Sequence, residues 1–85
     1  MSTLSTLSFT NGERKNLTSL IAPVGTFVLK PVDGSFYLGN SNSFEDSDGI
    51  LLPSEPTVVT VSSPDDLYIL NDSGASASLK VLHCR

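Results

Sequence analysis

The densest group of oxygen ligands in the chain is Glu45-Asp46-Ser47-Asp48-Gly49. Acidic loops of this kind hold calcium, which takes about six to eight oxygens. Part of the EF-hand spacing is present, with Asp46, Asp48, Gly49 and Glu55 at the third, fifth, sixth and twelfth positions. The first position is Phe44, which has no side-chain oxygen, and Pro53 interrupts the loop. The segment therefore reads as a solvated turn, and no metal is assigned to it. His83 and Cys84 are the only histidine and cysteine and form a base-and-nucleophile pair by type. On a strand, however, successive side chains point to opposite faces, so the two cannot share a proton. A Ser-His-Asp triad would also need His83, and no G-x-S-x-G elbow is present; Gly34-Ser35 and Gly74-Ala75-Ser76 are turn sequences. No Gly-rich phosphate loop follows a strand and opens a helix. Asn16-Leu17-Thr18 and Asn71-Asp72-Ser73 match the glycosylation sequon by chance in a chain rich in Ser and Thr. These residues assign no catalytic group and no cofactor, and the chain reads as not an enzyme.

The elements that would position these groups are strands. Thr26 to Lys30 is β-branched and aromatic, bounded by Gly25 and Pro31. The Asp33-Gly34 turn then leads into Ser35 to Leu38, which predicts a β-hairpin across PVDG. Gly39 to Gly49 is a polar loop, and Ile50-Leu51-Leu52 a short apolar element ended by Pro53 and Pro56. Thr57 to Ser62 alternates, with Val59 and Val61 on one face and Val58 and Thr60 on the other. Ser63 to Asp66 turns the chain into Leu67 to Leu70, and Asn71 to Gly74 turns it again. In the last strand, Ser78 to His83, residues Leu79, Val81 and His83 share one side, and Lys80, Leu82 and Cys84 the other. Short strands at spacings of about ten residues predict an all-β fold, a small antiparallel β-sandwich or barrel over 23–85. The expected core is Phe27, Leu29, Leu38, Val59, Val61, Leu67, Ile69, Leu79 and Val81. Residues 1–22 lack that rhythm. Gly12 to Ala22 holds at most one loose turn before Pro23, and the whole segment reads as an extended N-terminal arm.

At 85 residues there is room for one domain, which buries only about 60–65% of the surface its unfolded chain exposes. Charged residues make up 16%, against roughly 25% in ordinary soluble domains. So few charges protect poorly against self-association. A lone cysteine excludes an internal disulfide as well as Cys₄ or Cys₂His₂ zinc. A small domain without such staples finds its missing burial in a partner. The net charge of −4 with five Lys and Arg argues against nucleic acid. No apolar run approaches the length of about 18 residues that spans a bilayer, and Met1 to Thr10 has no basic region or continuous apolar stretch of a secretory signal. Neither nucleic acid nor a membrane is expected as a partner.

Two segments carry a resemblance. The first is Phe36-Tyr37-Leu38-Gly39-Asn40-Ser41-Asn42-Ser43 with Gly49-Ile50-Leu51-Leu52-Pro53; the second is Val58 to Val61, then Pro64 to Leu70, Ser73-Gly74 and Leu79 to Leu82. This order resembles small virion proteins of tailed bacteriophages, of the head decoration (capsid cement) type. The likeness runs from Val24 to Leu82, and Ser54-Glu55-Pro56 departs from the Pro-Gly-Glu turn common in such proteins. It implies a decoration protein on the outer capsid surface of a virion, made in the host cytoplasm, that binds the major capsid protein between subunits and stiffens the shell. It also implies self-association as a homotrimer. On this reading Leu4, Leu7, Phe9, Leu17, Leu20 and Ile21 of the arm make capsid or oligomer contacts, and the loop Asn40 to Asp48 forms the outer tip. The alternative is a receptor- or glycan-binding tip module of a head or tail fibre, for which Phe36, Tyr37, Phe44 and Tyr68 are the candidate aromatics.

Overall fold

Alternation of apolar and small polar residues gives strands that each bury one face, and two layers of them close over a shared core. The computed structural model describes residues 2–63 and 65–84. Met1, Pro64 and Arg85, which belong to the expected arm, the turn before Leu67 and the chain's last position, lie outside the described residues. The strands are β1 (Ser2–Phe9), β2 (Arg14–Asn16), β3 (Gly25–Pro31), β4 (Phe36–Gly39), β5 (Ile50–Leu51), β6 (Thr57–Val61), β7 (Tyr68–Asn71) and β8 (Ala77–Cys84). Among the described residues the helices are one four-residue turn, α1 (Leu17–Leu20), and a 3₁₀ turn at Asp46–Asp48. The strands form two antiparallel sheets, sheet A in the order β1-β8-β3-β6 and sheet B in the order β2-β7-β4-β5. The chain is thus the small all-β sandwich that its strand rhythm predicts. No described helix is long and apolar enough to cross a membrane.

The core sits between the sheets. Phe27, Leu29, Leu79 and Val81 enter it from sheet A and Ile69 from sheet B, with Leu67 just before β7. Leu38, Val59 and Val61 pack against it while partly buried. The expected inward faces are therefore the inward faces. Five further residues complete the core: Phe9, Leu17, Phe36, Leu52 and Ala77. Phe9 of sheet A meets Phe36 of sheet B edge to face, with ring centroids 5.1 Å apart.

Two expectations need correction. The segment TFVLK–PVDG–SFYL is not a hairpin, since β3 belongs to sheet A and β4 to sheet B. The chain crosses between layers at Asp33-Gly34, where Gly34 has φ of 72°. Ser35 N–H donates to Ser73 Oγ and Ser78 N–H to Asp33 Oδ1, which ties the crossover to the opposite turn and to β8. Burying Phe36 beside Phe9 is what the crossing achieves. Nor do the N-terminal residues form a free arm. β1 pairs with β8 along its whole length, from Ser2↔Cys84 to Phe9↔Ala77. β2 then pairs with β7 in the other sheet, so the segment expected to stand apart contributes a strand to each layer.

Candidate functional site

Sheet B is covered on part of its outer side, while Ile50 and Leu51 of its β5 edge stay exposed. Arg14 of β2, Leu70 of β7, and Tyr37 and Leu51 of the next two strands form an outward row. Leu70 is nevertheless only 5% exposed. The loop 40–49 folds back here: Arg14 Nε donates to the Phe44 carbonyl at 2.9 Å, and its guanidinium carbon lies 5.8 Å from the centre of the Phe44 ring. Phe44 is buried against Gly39 and Gly49, where a Cβ would meet its ring. Phe44 thus anchors the loop, while Asn42, Ser43 and Glu45 to Asp48 around it stay exposed. Its acidic end faces β7. A hydrogen bond with Asp46 raises the Asp72 carboxyl above the usual aspartate range, helped by desolvation and by the charges of Asp46 and Glu45.

Polar side chains of sheet B also tie it to the end of β1 and to the neighbouring loops. Asn71 is fully buried; its Nδ2 lies within bonding distance of the carbonyls of Phe9, Thr10 and Ala75, and its Oδ1 accepts from Ser73. Its amide is thereby used internally. Asn16 caps α1, accepting from Thr18 N–H and Leu67 N–H while donating to Asp66.

His83, the chain's one histidine, borders a cleft of about 380 Å³ with Ala22, Pro23, Val24 and Gly25. It is 5% exposed, and its Nε2 donates to the Val24 carbonyl at 2.8 Å. Its ring packs on Phe27 with centroids 4.9 Å apart. Gly25 permits this approach, because a Cβ there would lie 2.7 Å from the Cys84 carbonyl oxygen and against the imidazole. Cys84 points to the other face of β8, as alternation requires. A second, more open cleft of about 490 Å³ is bordered by Leu38, Asn40, Asp48, Ile50 and Asp66. Among the described residues, neither lining includes a lysine or arginine.

Of the six expected contact residues, Phe9 and Leu17 are core and cannot meet a partner. Leu7 and Ile21 pack partly against the core, and only Leu4 and Leu20 stand exposed. Of the four aromatics named for a glycan, Phe36 and Phe44 are buried, whereas Tyr37 and Tyr68 are half-buried.

The feature missed among these residues is the outer face of sheet A. Strand register lines up Leu4, Leu82, Val28 and Val58 in one row across all four strands. The flanking row is Ser2, Cys84, Thr26 and Thr60; on the other side Lys30 lies opposite Lys80. No acidic residue lies on these four strands. The signal was available: alternation already separates Val58 from Val59, and Leu82 from Val81. Only the pairing register could join the four.

The fold and these clefts define a small β-sandwich of a kind that also occurs within larger chains. A solved structure of similar fold is a sugar phosphate isomerase from a cupin superfamily, from Silicibacter pomeroyi. The match has a TM-score of 0.63 at 12% identity, covering 99% of this chain and 50% of that one, so this chain spans about half that protein's length. At such identity the likeness shows the fold. No family model and no curated protein matches the sequence. The expectation that the chain is no enzyme is corrected by this neighbour. Its architecture is shared with a protein named as an isomerase, so a sequence without a visible catalytic signature is no ground for setting enzymes aside.

Proposed function

We propose that this chain is a virion-surface subunit of the head decoration type, which docks on the outer capsid between major capsid subunits and adds buried contacts across their joints. The observation that carries the reading is the bare outer face of sheet A. It presents a four-residue aliphatic row, hydroxyl side chains and two lysines, on a molecule whose nine acidic residues all lie elsewhere. Such a face, aliphatic and hydroxyl-bearing with two lysines at one end, suits a broad protein contact better than a small ligand. Co-sedimentation with empty heads of the cognate phage tests it. The protein is expected in the pellet, and the loaded heads should melt at higher temperature than bare ones. A protein that stays in the supernatant at saturating concentration defeats the reading.

A second reading is favoured by the likeness to the sugar phosphate isomerase: a small-molecule site in the cleft beside His83. Titration with sugar phosphates, followed by the His83 ring resonances, tests it. Saturable shifts confined to His83 and its cleft would support a ligand site; unchanged resonances would remove it.

A further inference from the structure

The two layers of this sandwich close at one side and part at the other. On the side of β1 and β2, the Phe9 ring packs on Phe36, is 1% exposed and has the Lys15 Nζ 5.5 Å from its centre. On the side of β5 and β6, inward-pointing residues are left uncovered. Leu38 lies opposite both Ile69 and Ile50, so the three form one inward row across sheet B. Along it Ile69 is fully buried, Leu38 half-buried and Ile50 70% exposed. Leu52, two residues on from Ile50, is 5% exposed, so this side of the chain does face the core. Sheet A shows the same gradient, from buried Phe27 to half-buried Val59 opposite it.

The space so opened is the cleft of about 490 Å³ walled by Leu38, Ile50, Val59 and Leu67, with Asn40, Asp48 and Asp66 exposed at its mouth. Small-molecule sites run from roughly 300 to 1,000 Å³, with apolar walls and a few polar groups that fix the ligand's orientation. A hydrocarbon body suits these walls. The polar end must suit carboxylates, which only accept hydrogen bonds. Asp66 Oδ1 accepts from Asn16 Nδ2 at 3.0 Å, which holds that carboxylate in place. Among the described residues the lining includes no lysine or arginine, and the chain carries a net charge of −4. An anionic head is repelled here, whereas a cationic donor gains charge-assisted hydrogen bonds.

We propose that this cleft binds a free aliphatic amine as its ammonium ion, the tail along Leu38, Val59 and Ile50 and the head at the Asp48 and Asp66 carboxylates. Burial of the tail supplies most of the affinity, because ion pairs at exposed carboxylates contribute little. The head supplies the selection. A lysine of another protein offers the same head, but its backbone holds the stem at the mouth. A free tail reaches in to Leu67, the most buried residue of the lining. The site includes neither His83 nor the outer face of sheet A, so it stands apart from both the capsid and the sugar phosphate readings.

Titration of the full chain with octylamine at neutral pH, below the concentration at which the amine self-associates, tests the site by methyl NMR. Saturable shifts are expected at Leu38, Ile50 and Val59, with Leu4 and Val28 on the outer face of sheet A unmoved. Octanoate, a similar tail with the opposite charge, and methylamine, the head without the tail, should not saturate over the same range. Asp48→Asn and Asp66→Asn should each weaken octylamine binding about two- to fivefold, as exposed ion pairs do. Ile50→Ser trims a wall residue that is already largely exposed, so it should weaken binding about threefold with the melting curve unchanged. Circular dichroism checks the fold of every variant. Octylamine that fails to saturate overturns the proposal. So does octanoate binding as tightly as octylamine, or folded aspartate variants that bind like the wild type. Ile50→Ser binding unchanged overturns the placement of the tail. Nα-acetyl-lysinamide binding as tightly as octylamine overturns the free amine in favour of a partner's lysine.

Discussion

Sheets A and B share one core yet treat the outside differently. Sheet B has short or charged edges, and the loop 40–49 covers part of its outer face through Phe44 and Arg14. Sheet A has long uncharged edges and a bare outer face whose aliphatic row ends on both open strands. In sheet B, buried Asn71 and the Asn16 cap convert loops into fixed structure by hydrogen-bonding several backbone groups at once. Among the described residues, no loop covers the outer face of sheet A. The contrast teaches that two sheets sharing one core can finish their outer faces differently, one under an anchored loop and one with an aliphatic row whose ends are exposed.

The contrast can be broken first at what the sheets share. Phe27→Ala in sheet A and Phe36→Ala in sheet B should each cost about 3–5 kcal/mol, since both rings are fully buried. Denaturant melts that differ widely between the two would show that the layers do not depend equally on one core. Next comes the polar lock. Asn71→Ala leaves the carbonyls of Phe9, Thr10 and Ala75 and the Ser73 hydroxyl without their partner and should cost about 1–3 kcal/mol. Faster amide exchange should appear around residues 10–13 and 72–75, and a loss spread evenly over β3 and β6 would contradict the assignment of that lock to sheet B.

A similar effect is expected at the sheet A end of the His83 cleft. Gly25 has φ of 127°, and a Cβ there would press on the Cys84 carbonyl and the imidazole. Gly25→Ala should destabilise by about 1–3 kcal/mol and shift the His83 ring resonances; an unchanged melting curve would show that this junction has room to give. The smallest effect concerns the acidic corner beneath the sheet B loop. Asp72 should titrate above the usual aspartate value of about 3.9, because Asp46 hydrogen-bonds its carboxyl. The folded state holds this proton more tightly than the unfolded chain, so its contribution is present below the unfolded value and is lost as pH rises through the raised one. Carboxyl resonances followed by NMR would read the midpoint, and Asp46→Asn should lower it. A midpoint indifferent to that substitution would separate the loop from β7.

What this sequence determined by itself is local. Period-two alternation in Thr57 to Ser62 and Ser78 to His83 chose the inward face of each strand, because a one-residue slip would turn Val59, Val61, Leu79 and Val81 outward. Alternation likewise kept His83 and Cys84 on opposite sides of β8. Strand partnership was beyond its reach. Asp33-Gly34 turns the chain equally well within a sheet or between sheets, and only the burial of Phe36 against Phe9 across the core decided for the crossover. Leu4, Leu7 and Phe9 are too sparse to announce a strand, and β1 forms because the outer side of β8 offers eight residues of backbone to pair with. The row Leu4–Leu82–Val28–Val58 draws on four strands far apart in the chain, so it exists only once register is set. Local alternation is written in neighbouring residues, whereas edges and outer faces belong to the assembled sheet.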